Sequence, residues 1–186
     1  MSETPAKLCK LKTSKTVTIR TAVPDDAEAL LEHARIILAE DLYNVTTLEE
    51  FKMTAEQERA WIQEHLDRPG QIALVAELDG CVVGLLHLEN GHRKRLAHIG
   101  ALAMSVQPNF RRKGIGTALL QSLIHWAEEN AVIEKLTLSV FTTNRPAINL
   151  YKKTGFAEEG RRVRAIKITD GKYVDEILMG RFVKEH

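Results

Sequence analysis

The chain has 186 residues, 44% hydrophobic and 27% charged, which suits one soluble domain with a full core. Its formal charge of +1 gives no general pull toward nucleic acid or a membrane surface, and no apolar run approaches membrane-spanning length. Aromatics make up only 5% and do not alternate with cations, which argues against a base-stacking surface.

Residues 1–15 hold lysines and threonines without an apolar segment. They do not read as a secretory leader and are expected to form a flexible or loosely docked arm before a single domain over 16–186. Cys9 and Cys81 are far apart and form no metal or redox motif, so both are expected to be free thiols in a reducing cytoplasm. Val17 to Thr21 predicts a first strand. Pro24-Asp25-Asp26 opens a helix running to about Glu40, with acidic residues at its positive end. Residues 42–54 lack periodicity and read as loop. Ala55 to Leu66 predicts a second helix, stopped by Pro69-Gly70. Gln71 to Leu78 and Cys81 to Leu88 read as strands joined by a tight turn at Asp79-Gly80. Arg95 to Val106 reads as a long fourth strand. Ile115, Ala118, Leu119, Ser122, Leu123, Trp126 and Ala127 mark one face of a third helix. Lys135 to Phe141 alternates as a strand. Asn144 suits the N-cap of a fourth helix, Pro146 its first turn and Gly155 its stop. Phe156 to Ile168 and Tyr173 to Val183 form a last hairpin around Asp170-Gly171.

The run Arg111-Arg112-Lys113-Gly114-Ile115-Gly116-Thr117 lies between the strand ending at Val106 and the third helix. Its glycines let backbone pass close to a ligand, and its cations supply charge. The helix start adds free N–H groups and the positive end of a dipole. Together these make an anion site suited to a phosphate or pyrophosphate. A Walker loop needs lysine after Gly116, where Thr117 stands, and a dinucleotide fingerprint needs a third glycine where Leu119 stands.

What remains, Arg-x-x-Gly-x-Gly with Pro108 and Phe110 upstream, resembles the acyl-CoA loop of the GNAT superfamily of N-acetyltransferases. The segment Asn144 to Phe156, with Ala147, Leu150-Tyr151 and Gly155-Phe156, is similar to that family's second signature. The resemblance spans Leu74 to Val183. It implies an α/β (α+β) GNAT fold: a mixed, mostly antiparallel sheet of about seven strands, helices on both faces, and the fourth and fifth strands splayed apart. It implies acetyl-CoA as donor, with main chain near Met104 and Val106 bonding the pantetheine amides and a backbone N–H of that strand facing the thioester oxygen. Arg111, Arg112, Lys113, Gly114, Ile115, Gly116 and Thr117 would hold the pyrophosphate, mostly through N–H groups. Asn144 either caps its helix or also bonds the cofactor arm, and the two readings are compatible. Tyr151 matches the general acid that protonates the leaving thiolate. A phenol near ~10 stays protonated at neutral pH beside a thiol near ~8.5.

The attacking amine must first lose a proton. At pH 7 that costs a lysine-type amine roughly 4–5 kcal/mol and an α-amine of pKa ~8 about 1.4 kcal/mol. His87, Glu89 and His98 are candidates for the base, directly or through water, and their spacing gives no metal site. Residues 42–54 and 161–175 would frame the acceptor. There Arg161, Arg162, Arg164 and Lys167 are candidates to read a carboxylate or phosphate, at most two of them on one face. Asp175 and Glu176 are candidates to attract a cationic amine. The expected activity is acetyl transfer to a primary amine of a small molecule or amino acid. Alternatives are a protein N-terminal or lysine acetyltransferase, and a non-catalytic CoA-binding sensor module. The resemblance also allows a homodimer, since sheets of this kind often pair, though no residue in the sequence specifies one.

Overall fold

The computed structural model describes residues 3–11 and 15–184. One eight-stranded sheet runs in the order β1-β2-β3-β4-β5-β6-β8-β7. Its strands are β1 (Lys7–Lys10), β2 (Thr16–Thr21), β3 (Ile72–Leu78), β4 (Cys81–Asn90), β5 (Ile99–Val106), β6 (Lys135–Phe141), β7 (Ala157–Thr169) and β8 (Lys172–Phe182). The helices are α1 (Ala27–Leu38), α2 (Ala55–Asp67), α3 (Ile115–Glu129) and α4 (Arg145–Lys153). Among the described residues, no helix is long and apolar enough to cross a membrane.

Alternation decides the layers. On β3, Ile72, Leu74, Ala76 and Leu78 join the main core with α3 and α4, while Ala73 and Val75 pack with Leu30 of α1 and Ile62 of α2. A strand covered on both faces reads as a nearly continuous apolar run, which is how β3 appears in sequence. Thr54 caps α2 with a reciprocal pair: Gln57 N–H donates to its Oγ1 at 3.2 Å, and its own N–H donates to Gln57 Oε1 at 3.0 Å. The Asp79-Gly80 turn has φ 53° and 78°, the left-handed pair a tight hairpin requires. Arg20 on β2 grips both Asp26 carboxylate oxygens at 2.7 and 2.8 Å and Glu77 Oε2 at 2.8 Å. This fork ties β2 and β3 to the start of α1.

Three elements differ from expectation. The eighth strand comes from the stretch expected to be a loose arm: Lys7 to Lys10 pair antiparallel with Ile19 to Thr16, and Leu11 is buried in the main core. A strand this short has too few residues for a periodic signal. The fourth predicted strand begins at Ile99, not Arg95, because Asn90 Nδ2 donates to Ala97 O at 2.9 Å and Leu96 N–H to Arg93 O at 2.7 Å, folding the intervening cations into turns. The first helix opens with a 3-10 turn at Pro24–Asp26 and ends at Leu38.

All ladders are antiparallel except β5–β6, which is parallel and short. Its pairs are Ile99 with Lys135, Gly100 with Leu136 and Ala101 with Thr137. Beyond them β5 continues only with β4, as far as Val106, and β6 only with β8, as far as Phe141. The two strands therefore part within an otherwise continuous sheet. A register shift between β3 and β4 at Ala76 and Glu77 accompanies the parting. There Gln107 N–H donates to Val83 O at 2.9 Å and Gln107 Nε2 to Val82 O at 3.0 Å, bending the end of β5 toward β4.

Candidate active site

The polar main chain on β5 can be assigned to sides. His98 O accepts from Lys135 N–H, toward β6, and Gln107 N–H donates to Val83 O, toward β4. Alternation between these points turns the main chain of Met104 and Val106 toward the gap. Among the described residues, no strand pairs with them on that side. These are the two residues that the resemblance assigns to the pantetheine amides. The Val106 carbonyl is already engaged, accepting from Arg111 Nε at 2.8 Å.

The anion corner sits at the end of the same strand. A 3-10 turn at Pro108–Phe110 leads to Gly114, the N-cap of α3, at φ 103°. That angle is open to glycine and strained for other residues. No side chain caps α3 and no acidic residue lies in its first turn, so the N–H groups of Ile115, Gly116 and Thr117 lack intrahelical acceptors. A β-carbon on Gly116 would lie 3.2 Å from Leu150 Cδ2 and 3.6 Å from Met104 Cε. Helix α3, helix α4 and β5 therefore converge where Gly116 leaves room for backbone approach.

The three cations separate. Arg111 turns away from the corner and donates from Nη1 to Glu40 Oε1 at 2.9 Å, with Nη2 on the other carboxylate oxygen. A guanidinium held by Glu40 and the Val106 carbonyl has few donors left for a phosphate. Arg112 is exposed at φ 61° and has no partner among the described residues. Lys113 Nζ lies 5.1 Å from the Phe110 ring centroid.

Tyr151 is 6% exposed on α4, its ring centroid 5.8 Å from that of Phe156. Burial pushes its pKa up to about 12. Asn144 caps α4, its Oδ1 accepting from Ala147 N–H at 3.3 Å.

The opposite face of the sheet, covered elsewhere by α1 and α2, is open beside the gap. Its floor is small: Ala101 and Ala103 are exposed on β5, as is Ser139 on β6. On one side stand His87 and Glu89, opposite Ala103 and Ala101 in the ladder. His87 meets Trp61 of α2 edge-on at 5.3 Å, and His65 Nε2 lies 3.5 Å from Glu89 Oε1. Burial lowers the His87 pKa, Glu89 opposes that shift, and His65 adds to it. His98 does not join them. It sits at the closed end of the β5–β6 pairing, where its carbonyl holds Glu134 and Lys135. On the other side, Arg162 reaches from β7 across β8 to β6, its Nη2 lying 2.6 Å from Glu176 Oε2 and donating to Ser139 Oγ at 2.9 Å. Arg161 points to the other face, opposite Ile177, and holds Asp175 at 2.6 Å. Both carboxylates expected to attract an amine are therefore occupied by arginines. Lys167 pairs with Asp170 at the hairpin tip.

Sequence reasoning passed over His33. It is 1% exposed on α1, with Nε2 2.8 Å from Ser105 Oγ and Nδ1 unpartnered. Burial, then the nearby Arg111 charge, lowers its pKa to about 4. A lone histidine on an apolar helix face carries no signal of its partner strand.

The sheet thus opens between two parallel strands, an uncapped helix start follows the end of β5, and α4 carries a buried phenol. The sequence profile of the Acetyltransferase (GNAT) family matches residues 36–156. The L-amino acid N-acetyltransferase AaaT of Escherichia coli (strain K12) is 32% identical over 165 residues, covering 89% of this chain and 97% of its own. An N-alpha-acetyltransferase of Sulfolobus acidocaldarius is 39% identical over 104 residues, covering 51% of this chain and 61% of its own. Among solved structures, the GNAT-family acetyltransferase of Streptococcus pneumoniae is 30% identical with a TM-score of 0.86, covering 90% of this chain and 99% of its own. The chain belongs to the GNAT acetyltransferase family.

Proposed function

We propose that the protein moves the acetyl group of acetyl-CoA directly to a primary amine of an amino acid or similar small molecule. The observation that carries this reading is the end of the β5–β6 ladder at Ala101 and Thr137, beside the uncapped start of α3. On this reading Met104 and Val106 main chain takes the pantetheine amides. The N–H groups of residues 114–117 hold the pyrophosphate, with Arg112 and Lys113 adding charge. The amine enters from the α1–α2 face, where Ala101 and Ala103 leave space. Its nitrogen bonds the thioester carbonyl carbon while a β5 N–H steadies the carbonyl oxygen. The C–S bond then breaks, the sulfur takes the Tyr151 phenolic proton, and the nitrogen loses a proton to His87, Glu89 or water. Neither thiol suits an acyl intermediate, since Cys9 lies on β1 and Cys81 at the Asp79-Gly80 turn.

A phenol at about 12 lies some ~3.5 units above an ordinary thiol, about 5 kcal/mol if the thiolate were solvated. Burial in the same gap raises the thiol as well and narrows that difference. The near full-length likeness to an L-amino acid N-acetyltransferase supports the acceptor class. The half-length likeness to an archaeal N-alpha-acetyltransferase favours a second reading, the N-terminus of a polypeptide.

The test is thiol release from acetyl-CoA across amino acids, polyamines, aminoglycosides and short peptides. Saturable release with amino acids or small amines supports the proposal. Release with peptides alone moves the assignment to the second reading. CoA binding without release from any amine removes the enzymatic role.

A further inference from the structure

The ionic inventory of the open face narrows the acceptor, given the amine-acetylating reading above. Glu89 stands half exposed on one side, beside Ala101, and the two carboxylates nearer β7 are both held by arginines. Asp175 belongs to the other face, where Arg161 holds it at 2.6 Å and Arg164 N–H donates to it at 2.6 Å. Glu176 is 6% exposed with Arg162 against it. Neither is positioned to draw in a cation.

The arginine is different. Arg162 is opposite Glu176 in the ladder and therefore on the same face, and its side chain is 56% exposed. Its Nη2 is fixed by Glu176 and Ser139, while Nε and Nη1 have no partner among the described residues. Ser139 stands on β6 beyond Thr137, in the segment where β6 has left β5. The guanidinium is thus anchored over the lip of the gap with donors still open. A planar guanidinium held by a buried carboxylate is pre-organised for a second carboxylate, because its remaining N–H groups point in a fixed direction.

We infer that Arg162, held by Glu176 and Ser139, reads the carboxylate of the acceptor, so that the preferred substrates are amines carrying a carboxylate close to the reacting nitrogen. Such a carboxylate on the open donors sets the amine over the exposed Ala101 and Ala103, beside the thioester position in the gap. A polyamine or a lysine side chain would bring a second positive charge toward Arg162 and be disfavoured.

The experiment uses the full chain and the thiol-release assay. The twenty protein L-amino acids are compared with their carboxamides, and leucine also with 3-methylbutylamine. The unaltered protein is expected to favour the free acids at least about tenfold in kcat/KM, as loss of a charged hydrogen bond implies. The amide amine is the less basic and more readily deprotonated, so a preference for the acid runs against intrinsic reactivity. Arg162→Ala should raise KM for the acids at least about tenfold and leave KM for the amides and for acetyl-CoA unchanged. Arg162→Lys should not restore the acids, since a point charge cannot hold Glu176 and Ser139 and also present a fork. Equal turnover of acids and amides by the unaltered protein overturns the inference, as does an equal loss on both in Arg162→Ala. Turnover of amines or polyamines but not amino acids also overturns it while leaving the acetyltransferase reading intact. Turnover of nothing overturns both.

Discussion

On the proposed function, single atoms decide how closely the donor can approach. The β-carbon missing from Gly116 is the clearest case, because its place lies within contact of both Leu150 and Met104. Those neighbours are side-chain ends, so Gly116→Val should fold but fill the cleft between α3 and α4. An increase of about tenfold or more in KM for acetyl-CoA is expected, with a modest shift in melting temperature. Steady-state kinetics paired with thermal denaturation separates the two effects. Tyr151→Phe keeps the ring that packs near Phe156 and removes only the hydroxyl. Turnover should fall at least about tenfold with acetyl-CoA affinity retained, since proton donation to the leaving sulfur is lost. Unchanged turnover would remove the phenol from the mechanism.

At the level of elements, the contact of α1 with β5 responds to pH. His33 holds its imidazole neutral against Ser105, with a folded pKa of about 4 against an ordinary 6.5. The unfolded chain binds that proton more readily, so stability is full above about 6.5 and declines as pH falls toward 4. The whole effect is about 3 kcal/mol. His87, also lowered by burial, works in the same direction. Urea midpoints measured from pH 7 to 4 should decline in wild type and decline less in His33→Leu. An equal decline in both would mean that His33 does not carry the effect. Asp26 falls outside this window: burial raises its pKa, but Arg20 and the Val23 N–H more than offset that, so its loss comes only at lower pH.

Across the whole molecule, the proposed function has donor and acceptor approach from opposite faces of one sheet and meet where β5 and β6 part. Both substrates can then be bound together. Initial-rate plots should intersect, and no acetyl group should remain on the protein after acetyl-CoA is supplied without acceptor. The far edge has its own role. Strand β1 covers β2, whose Val17 and Ile19 are almost completely buried. Deleting residues 1–10 should bare that edge, lower the melting temperature and promote self-association seen on size-exclusion chromatography. Leu11→Ala should cost about 2–3 kcal/mol, because the side chain sits in the main core.

The sequence alone determined what is written locally. The glycine corner of residues 114–117 was readable because strand end, glycine and helix start are consecutive, and the Asp79-Gly80 turn and the Asn144 cap were readable for the same reason. Strand and helix faces followed from periodicities of 2 and 3.6 residues, which backbone geometry imposes wherever the chain lies. Met104 could be proposed from the resemblance, but the side its main chain faces required the β4 and β6 ladders. Only the tertiary structure decided that Arg111 goes to Glu40, 71 residues away, that His33 meets Ser105, 72 residues away, and that Arg162 reaches Ser139 over Glu176. Each of these pairings depends on the spatial order of the strands. Because β8 lies between β6 and β7, a side chain on β7 can arch over β8 to the edge of the gap, and no local rule on residue spacing encodes that neighbourhood.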